Sequence, residues 1–328
     1  MKKTLFTAIT ILTILLCIHG CQSDKTVSVP IIFDTDMGPD YDDVGALTML
    51  HALADHGEAR ILATMSSNRY DFAVPCIDVI NHYYGRPDIP VGAPLQGVIK
   101  EDEHGEKWAE VLPAKFPHRL KTTAEAPDAV QIYRRILAKE ADHSVVIVTV
   151  GFMTNLAALL QSPADQYSEL SGKQLVEKKV KHLVSMAGYF PKGREWNVYV
   201  DSLASVVVFN EWPTRIILSG FEIGIKVITG KRLVASDIRN TPAKEAFTIC
   251  LRQDNPDGRM SWDQTAVLVA VRGTEPYFDT QKGRMLVASD GSNMWEDNLN
   301  GTHEYLTWKM PVDQLVNIIE ELMMYEPK

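Results

Sequence analysis

The chain has 328 residues and an acidic balance, with 33 lysines and arginines against 42 aspartates and glutamates and a formal net charge of −9 at pH 7. A protein of this charge has no electrostatic basis for binding a nucleic acid polymer, so that class of partner is excluded. The length suits one large α/β domain or two small ones.

The amino terminus predicts a secretory signal. Two lysines precede an apolar run over 5–18 that is short for a membrane span, and a His-Gly-Cys sequence follows. This pattern resembles a bacterial lipoprotein signal, which implies a lipid on Cys21 and a membrane anchor in the cell envelope, in the periplasm or at the outer membrane. A plain signal peptide and an uncleaved anchor are the alternatives. The predicted organisation is a signal over 1–20, a tether over 21–28 and one domain over 29–328.

Strand and helix patterns then alternate along the chain, without an internal repeat or a low-complexity linker. Alternation of this kind predicts an α/β fold with a mostly parallel open sheet and helices on both faces. The predicted elements are strands over 29–34, 61–65, 145–150, 181–186 and 215–218, and helices over 43–56, 72–84, 131–139, 154–160 and 204–209.

A charged stretch over 97–122 shows no periodic pattern and is predicted to be an irregular loop. Long loops in compact domains are usually functional or mobile, which makes this one a candidate lid. Two cysteines beyond the lipid position, Cys76 and Cys250, lie in apolar helical surroundings. We predict buried thiols there rather than a disulfide or a metal pair.

The most informative stretch follows the first predicted strand. From Asp34 to Asp43 the sequence is Asp-Thr-Asp-Met-Gly-Pro-Asp-Tyr-Asp-Asp, which places five carboxylates within ten residues. Such a cluster is costly unless a hard cation or a hydroxyl-rich ligand compensates the repulsion, and helix capping by Asp40 or Asp42 would account for only one or two of the charges. Ligand sites in α/β proteins lie at the carboxyl ends of strands, so we predict a cation site here.

Three later segments carry further polar groups. A strand-to-helix connection over 148–156 is typical of an ordinary turn with a Thr or Asn cap. Glu195 and Asn197 lie two residues apart, so in an extended segment they would point the same way and suit neighbouring sugar hydroxyls. A polar loop edge, with Asp201 as a helix cap, is the alternative. Asp263 opens an apolar helical pattern and by itself predicts a cap.

The spacing Asp-x-Asp-x-Gly-x-Asp-x-Asp-Asp resembles the amino-terminal signature of the nucleoside hydrolases, the inosine-uridine-preferring N-ribohydrolase family. The three later segments match that family in the same order, so the resemblance spans 29–272 and implies the Rossmann-like nucleoside hydrolase fold. A short Asp-x-Asp loop also resembles phosphatases of the haloacid-dehalogenase type. Those enzymes require a downstream lysine and an acidic pair in a different arrangement.

The resemblance implies a calcium site and a ribose site. Asp34 would orient the loop, and Asp36 would both bind calcium and take a proton from water. The implied metal ligands are Asp36, Asp43, Asp263 and the Val150 carbonyl. The implied substrate-binding residues are Asp42, Asn68, Met186, Glu195, Asn197 and Trp262.

This sequence departs from the family pattern at three places. The first loop is two residues longer, so Asp40 is a ligand, an extra carboxylate or a cap. A family asparagine before Glu195 is replaced within 191–194. Trp262 stands where the family has a histidine. An indole cannot act as a general acid, so Trp262 is predicted to stack on the base and to favour easily displaced leaving groups, unless His104 or His303 supplies a proton.

These observations predict calcium-dependent hydrolysis of the N-glycosidic bond of ribonucleosides or related ribosides, giving ribose and free base. The alternative is a calcium-dependent ribose- or nucleoside-binding lipoprotein with little turnover. The expected partner is a small nucleoside or riboside. Base preference and the choice between monomer and homo-oligomer are left open.

Overall fold

The computed structural model describes residues 28–95, 99–102, 105, 107–253 and 255–327. The predicted signal, Cys21, most of the tether and His104 lie outside these residues. Across the described part of the chain, none of the helices is both long and apolar enough to span a membrane.

Twelve strands and thirteen α-helices are assigned in the described residues. The strands are β1 (Val29–Thr35), β2 (Ala59–Ser66), β3 (Val91–Gly92), β4 (Val145–Thr149), β5 (Val180–Met186), β6 (Lys192–Gly193), β7 (Arg215–Ser219), β8 (Ile228–Thr229), β9 (Arg259–Met260), β10 (Phe278–Val287), β11 (Asn293–Asp297) and β12 (His303–Trp308). The helices are α1 (Asp42–Asp55), α2 (Ala73–Tyr83), α3 (Trp108–Lys115), α4 (Ala129–Leu137), α5 (Thr154–Gln161), α6 (Gly172–Lys179), α7 (Trp196–Val200), α8 (Ser202–Glu211), α9 (Phe221–Gly224), α10 (Lys231–Ala235), α11 (Pro242–Gln253), α12 (Trp262–Arg272) and α13 (Val312–Met323).

Ten strands form one sheet in the order β3-β2-β1-β4-β5-β7-β12-β10-β11-β6. Pairing is parallel from β3 to β12, and β10, β11 and β6 extend the sheet with antiparallel pairing. Strands β8 and β9 form a separate antiparallel pair. The predicted α/β fold with a mostly parallel sheet is therefore confirmed.

Both faces of the sheet are covered, because successive strand residues alternate between two apolar clusters. In β1, Ile31 and Phe33 pack with α1, α11, α12 and α13, whereas Ile32 packs on the opposite face with α4, α5 and α8. A strand buried on both sides is apolar at every position, which is why β1 was recognisable as a continuous apolar run. The predicted buried thiols are confirmed, since Cys76 and Cys250 are both 0 % exposed.

The prediction of an irregular stretch over 97–122 is only partly correct. Helix α3 lies inside it, and Trp108, its first residue, is 0 % exposed. The side chain of Trp108 belongs to the core cluster next to α2. Burial of this large aromatic ring stabilises a helix in a segment whose charged residues show no helical pattern in the sequence.

Candidate active site

A cavity opens at the carboxyl ends of the parallel strands, where β1, β4 and β5 lead into loops and helices. This is the edge at which α/β proteins bind ligands. Of the residues singled out from the sequence, the cavity is lined by Asp36, Asp42, Val150, Met186, Glu195, Asn197, Trp262 and Asp263. Its other lining residues are Asp40, Trp196, Phe221 and Arg259.

The acidic side chains of the site are deeply buried. Asp36, Asp42, Asp43 and Asp263 are between 1 and 6 % exposed. Burial, and in second place repulsion from neighbouring carboxylates that include Asp40, raises the pKa of each of the four well above the usual aspartate value. The fold therefore concentrates negative charge where water cannot screen it.

Glu195 belongs to the same buried group but caps a helix. Burial raises the pKa of Glu195 to about 7, although backbone N–H groups of Asn197, Gly188 and Val198 partly offset the effect. Its Oε1 accepts a hydrogen bond from the backbone N of Asn197 at 2.8 Å. The predicted extended segment is thus wrong. The Glu195 side chain satisfies the free N–H groups of α7, and this capping turns the chain into a helix at Trp196.

Asn197 points to the same cavity from the first turn of α7. Its Nδ2 donates to the carbonyl oxygens of Val150 at 3.0 Å and Met186 at 3.2 Å. One amide therefore ties together the ends of β4 and β5. The alternative role suggested for Asp201 is also present, because its Oδ1 accepts from the backbone N of Ala204 in α8.

Arg259 is the site residue that sequence reasoning missed. Its Nε and Nη2 lie 3.0 and 2.9 Å from Asp42 Oδ1, and Nη2 lies 2.5 Å from Asp40 Oδ2. Burial lowers the pKa of an arginine, but the charges of Asp40 and Asp42 outweigh this and raise the pKa of Arg259. Among the described lining residues it is the only cation. The signal that could have found it is charge balance, since buried carboxylates require a partner.

Two residues predicted from the first motif support the cavity from behind. Asn68 is 0 % exposed, and its Nδ2 donates to the carbonyl oxygens of Asp36 at 3.0 Å and Glu101 at 2.7 Å. Its amide is committed to the backbone of the loop, so Asn68 does not line the cavity as a sugar ligand would. Asp34 accepts from the Tyr133 hydroxyl at 2.8 Å and from Asn155 Nδ2 at 3.1 Å, in line with an orienting role. Burial raises the pKa of Asp34 to about 7.

Trp262 lines the cavity and packs against α9. Its Nε1 donates to the Phe221 carbonyl oxygen at 2.9 Å, and the two rings lie 5.2 Å apart with a tilt of 31°. Gly224 is required beneath it, because a Cβ there would stand 2.3 Å from Trp262 Cδ1. The Arg259 guanidinium lies 5.2 Å from the centroid of the same indole.

His303 does not belong to this site. It begins β12 and pairs with Ile216 near the amino end of β7, at the sheet edge opposite the cavity. Its Nδ1 accepts a hydrogen bond from the backbone N of Met285 at 3.0 Å, and burial lowers the pKa of His303 to about 4. The suggestion that His303 could protonate a leaving group is therefore wrong.

The donor chemistry of the cavity fits calcium. In the described ranges, no three or more His, Cys, Asp or Glu side chains are arranged as a ready-made metal site. However, the ion pairs of Arg259 in the described residues are with Asp40 and Asp42, and the buried carboxylates of Asp36, Asp43 and Asp263 still repel one another. Carboxylate and carbonyl oxygens are the ligands that calcium takes, and a divalent cation would relieve this repulsion.

Comparison with known proteins agrees with this geometry. The sequence is 26 % identical over 208 residues to the pyrimidine-specific ribonucleoside hydrolase RihA of Citrobacter koseri, an alignment covering 60 % of this chain and 61 % of the relative. The chain thus spans about three fifths of the length of the curated relatives it matches.

Two solved structures share the fold at low identity. The inosine-uridine preferring nucleoside hydrolase of Bacillus anthracis superposes with a TM-score of 0.68 at 17 % identity, covering 90 % of this chain and 99 % of the other. The purine-preferring ribonucleoside hydrolase of Gardnerella vaginalis gives a TM-score of 0.67 at 18 % identity with the same coverage.

The family described as inosine-uridine preferring nucleoside hydrolase matches residues 31–312, which is most of the chain. This match includes the acidic loop, the Glu195 segment and Asp263, and it removes the phosphatase alternative. The chain belongs to the inosine-uridine preferring nucleoside hydrolase family.

Proposed function

We propose that the protein is a calcium-dependent N-ribohydrolase that cleaves the N-glycosidic bond of ribonucleosides or related ribosides to ribose and free base. One observation carries the proposal. Asp36 and Asp43 lie in the first loop, Asp263 lies 220 residues later, and the three are buried together beside a cavity that also presents Glu195 and Asn197. Without a bound cation or polyhydroxyl ligand, the repulsion between these buried carboxylates would only destabilise the folded protein.

Cleavage of a nucleoside leaves positive charge on the ribose and negative charge on the base as the C–N bond lengthens. Asp36, Asp43, Asp263 and the Val150 carbonyl would hold calcium, which would supply positive charge for binding sugar hydroxyls and for lowering the pKa of water. Asp36 would accept a proton from the attacking water as the water oxygen bonds to C1′. The surrounding carboxylates favour the cationic sugar of the transition state over the neutral substrate.

The sugar is gripped by side chains already placed at the cavity wall. Asp42 is fixed through Oδ1 by Arg259 and through Oδ2 by the backbone N of Asp263 at 3.5 Å, and Oδ2 keeps a lone pair that can accept from a ribose hydroxyl. Asn197 and Glu195 face the same space from α7, and Met186 contributes an apolar wall. Holding the ribose rigidly in this way lowers the entropic cost of reaching the transition state.

The test is ribose release from a panel of purine and pyrimidine nucleosides, because the similar proteins include both a pyrimidine-specific and a purine-preferring enzyme. We expect turnover that is abolished by a calcium chelator and restored by added calcium. Asp257, which is 88 % exposed and lies outside the cavity, supplies the control variant Asp257→Ala. Turnover that is unchanged by thorough chelation would contradict the calcium part of the proposal.

The alternative of a riboside-binding protein with little turnover is favoured by one observation, the indole at position 262 packed on α9 where a titrating side chain would be needed. The same panel separates the two. Calorimetry showing calcium-dependent binding of a nucleoside, without ribose release over hours, would establish binding instead of hydrolysis. In either case we propose attachment to the bacterial cell envelope through a lipid on Cys21.

A further inference from the structure

The cavity contains one cation whose position calls for a role beyond charge balance. Arg259 lies between the carboxylate Asp42 on one side and the indole of Trp262 on the other. Its guanidinium is also 5.2 Å from the ring centroid of Tyr41. It therefore stands at the border between the sugar-binding carboxylates and the aromatic end of the cavity, where a leaving base would be.

Among the described lining residues, the aromatic side chains of Trp196, Phe221 and Trp262 carry no group that could donate a proton to a leaving base at neutral pH. Trp262 donates its only N–H to the Phe221 carbonyl. His303 lies at the amino end of β12, whereas the cavity lies at the carboxyl ends of the strands. Among the described lining residues, Arg259 alone can offer positive charge and N–H donors to a base that acquires negative charge.

The arginine is held so that part of its donor set stays available. Asp42 contacts Nε and Nη2, Asp40 contacts Nη2, and no hydrogen bond of Nη1 is found within the described part of the chain. A guanidinium fixed by two carboxylates keeps its orientation without rearrangement during the reaction, which is the condition for electrostatic stabilisation of a transition state. Asp40 is one of the residues in the longer first loop, so the loop extension and the arginine form one unit.

We propose that Arg259 stabilises the departing base, by attraction and hydrogen-bond donation to its acceptor atoms, and that Asp40 positions the guanidinium for this task. The inference rests on the proposed ribohydrolase function. As the C1′–N bond breaks, its electron pair goes to the base, water oxygen bonds to C1′, and the water proton goes to Asp36. Arg259 keeps its protons, and the base is protonated from solvent after it leaves.

The proposal predicts a dependence on the leaving group. A nucleobase is a poor leaving group, so its developing negative charge requires stabilisation by Arg259. A nitrophenolate delocalises that charge over its own ring and does not require the arginine. For Arg259→Gln we expect kcat/KM to fall about 100-fold for uridine and inosine, similar to loss of a transition-state donor, but only about threefold for p-nitrophenyl riboside. Arg259→Lys should fall between wild type and Arg259→Gln on the nucleosides.

A second variant tests the positioning role. Asp40 has a side chain that is 41 % exposed, so Asp40→Asn should fold. We expect it to lower kcat/KM for the nucleosides about tenfold, again with little effect on the nitrophenyl substrate. Arg272→Gln is the matched control, since Arg272 ends the same helix that follows Arg259 and pairs with Glu58 away from the cavity. It should leave the ratio of the two substrates unchanged.

The outcomes separate this inference from the function beneath it. If wild type hydrolyses both substrates and Arg259→Gln and Arg259→Lys reduce both equally, the arginine only supports Asp42 and the inference is overturned. If wild type releases ribose from neither substrate, the proposed function fails, and the inference fails with it. Thermal unfolding and calcium binding of each variant, compared with Arg272→Gln, show whether a loss comes from misfolding.

Discussion

At the scale of single residues, the main property of the site is the number of buried negative charges that must be compensated. The sequence supplied the carboxylates because Asp34, Asp36, Asp42 and Asp43 are close together in the chain, and the structure places Asp36, Asp42 and Asp43 near Asp263. It did not supply Arg259, whose bond to Asp42 joins residues 217 positions apart. No local pattern marks such a pair, since a lone arginine near a helix start is ordinary.

Calcium binding follows from the same charges. We expect about one calcium per chain in wild type, and none in Asp43→Ala or Asp263→Ala at concentrations that saturate wild type, because each variant removes one of the few hard oxygen ligands. Elemental analysis and titration calorimetry measure this, with Asp257→Ala as the exposed control. Wild-type protein that holds no calcium even after equilibration with the ion would refute the assignment of this site.

Trp262 gives a prediction about rates. Because an indole does not titrate near neutral pH, a riboside with an activated phenolate leaving group should be cleaved far faster than inosine. Trp262→Ala should mainly raise KM, by roughly 1 to 3 kcal/mol of lost stacking, with kcat little changed. Trp262→Phe serves as the conservative control. Equal kcat/KM for inosine and the activated riboside would show that an acid is present after all.

At the scale of elements, the sequence located the buried strands and helices better than the exposed ones. Strands β1 and β4 are apolar and buried along most of their length, so their composition marked them. Strand β10 has exposed polar residues along much of its length and belongs to the antiparallel extension, so no apolar run marked it. Helix α7 begins at Trp196 because the Glu195 carboxylate caps it. The same carboxylate accepts a hydrogen bond from the backbone N of Gly188, so the cap depends on the position of the chain that follows β5.

The loop between β1 and α1 depends on Asn68 in the same way. Removing its amide leaves buried backbone carbonyls of Asp36 and Glu101 without a donor, so Asn68→Ala should lower the free energy of unfolding by about 2 kcal/mol. Calcium affinity should fall as well, because Asp36 is no longer held. Urea unfolding and calorimetry measure both, and Asn210→Ala, exposed on α8, is the control. Unchanged calcium affinity would mean that the loop holds its shape without this amide.

At the scale of the whole molecule, stability should depend on pH through buried histidine. His51 in α1 is 0 % exposed and its Nε2 bonds Asn81 Oδ1 at 2.9 Å. Burial, and then the charge of Arg86, lowers the pKa of His51 from 6.5 to about 3. Above pH 6.5 the His51 side chain is neutral in both the folded and the unfolded state. Below it only the unfolded state takes up the proton, so folding weakens as pH falls, by up to about 1.4 kcal/mol per pH unit.

The variant His51→Gln keeps a donor for Asn81 and removes the titration. Between pH 7 and pH 5, wild type should therefore lose about 2 kcal/mol more unfolding free energy than the variant. Urea unfolding at each pH measures the difference, and His56→Gln, whose side chain is 43 % exposed, is the control. Parallel pH curves for wild type and His51→Gln would show that this histidine is not the cause.

Attachment to the envelope is also a property of the whole molecule, and Cys21 lies outside the described residues. We expect labelled fatty acid to enter wild type and not Cys21→Ser, with the variant released from the membrane fraction. The sequence alone motivates this expectation. Labelling of both proteins, or of neither, would remove the lipid anchor.

The position of Arg259 in the chain has a consequence for the time course of biosynthesis. The acidic loop is made more than two hundred residues before the arginine that neutralises it. Strands β1, β2, β4 and β5 can pair while α12 is still missing, but the carboxylates of the loop must then remain in contact with water. In the folded structure α12 packs against α1 and carries Asp263 to the cavity. The first half of the protein can therefore fold early, whereas the site is complete only after the last third of the chain has been synthesised.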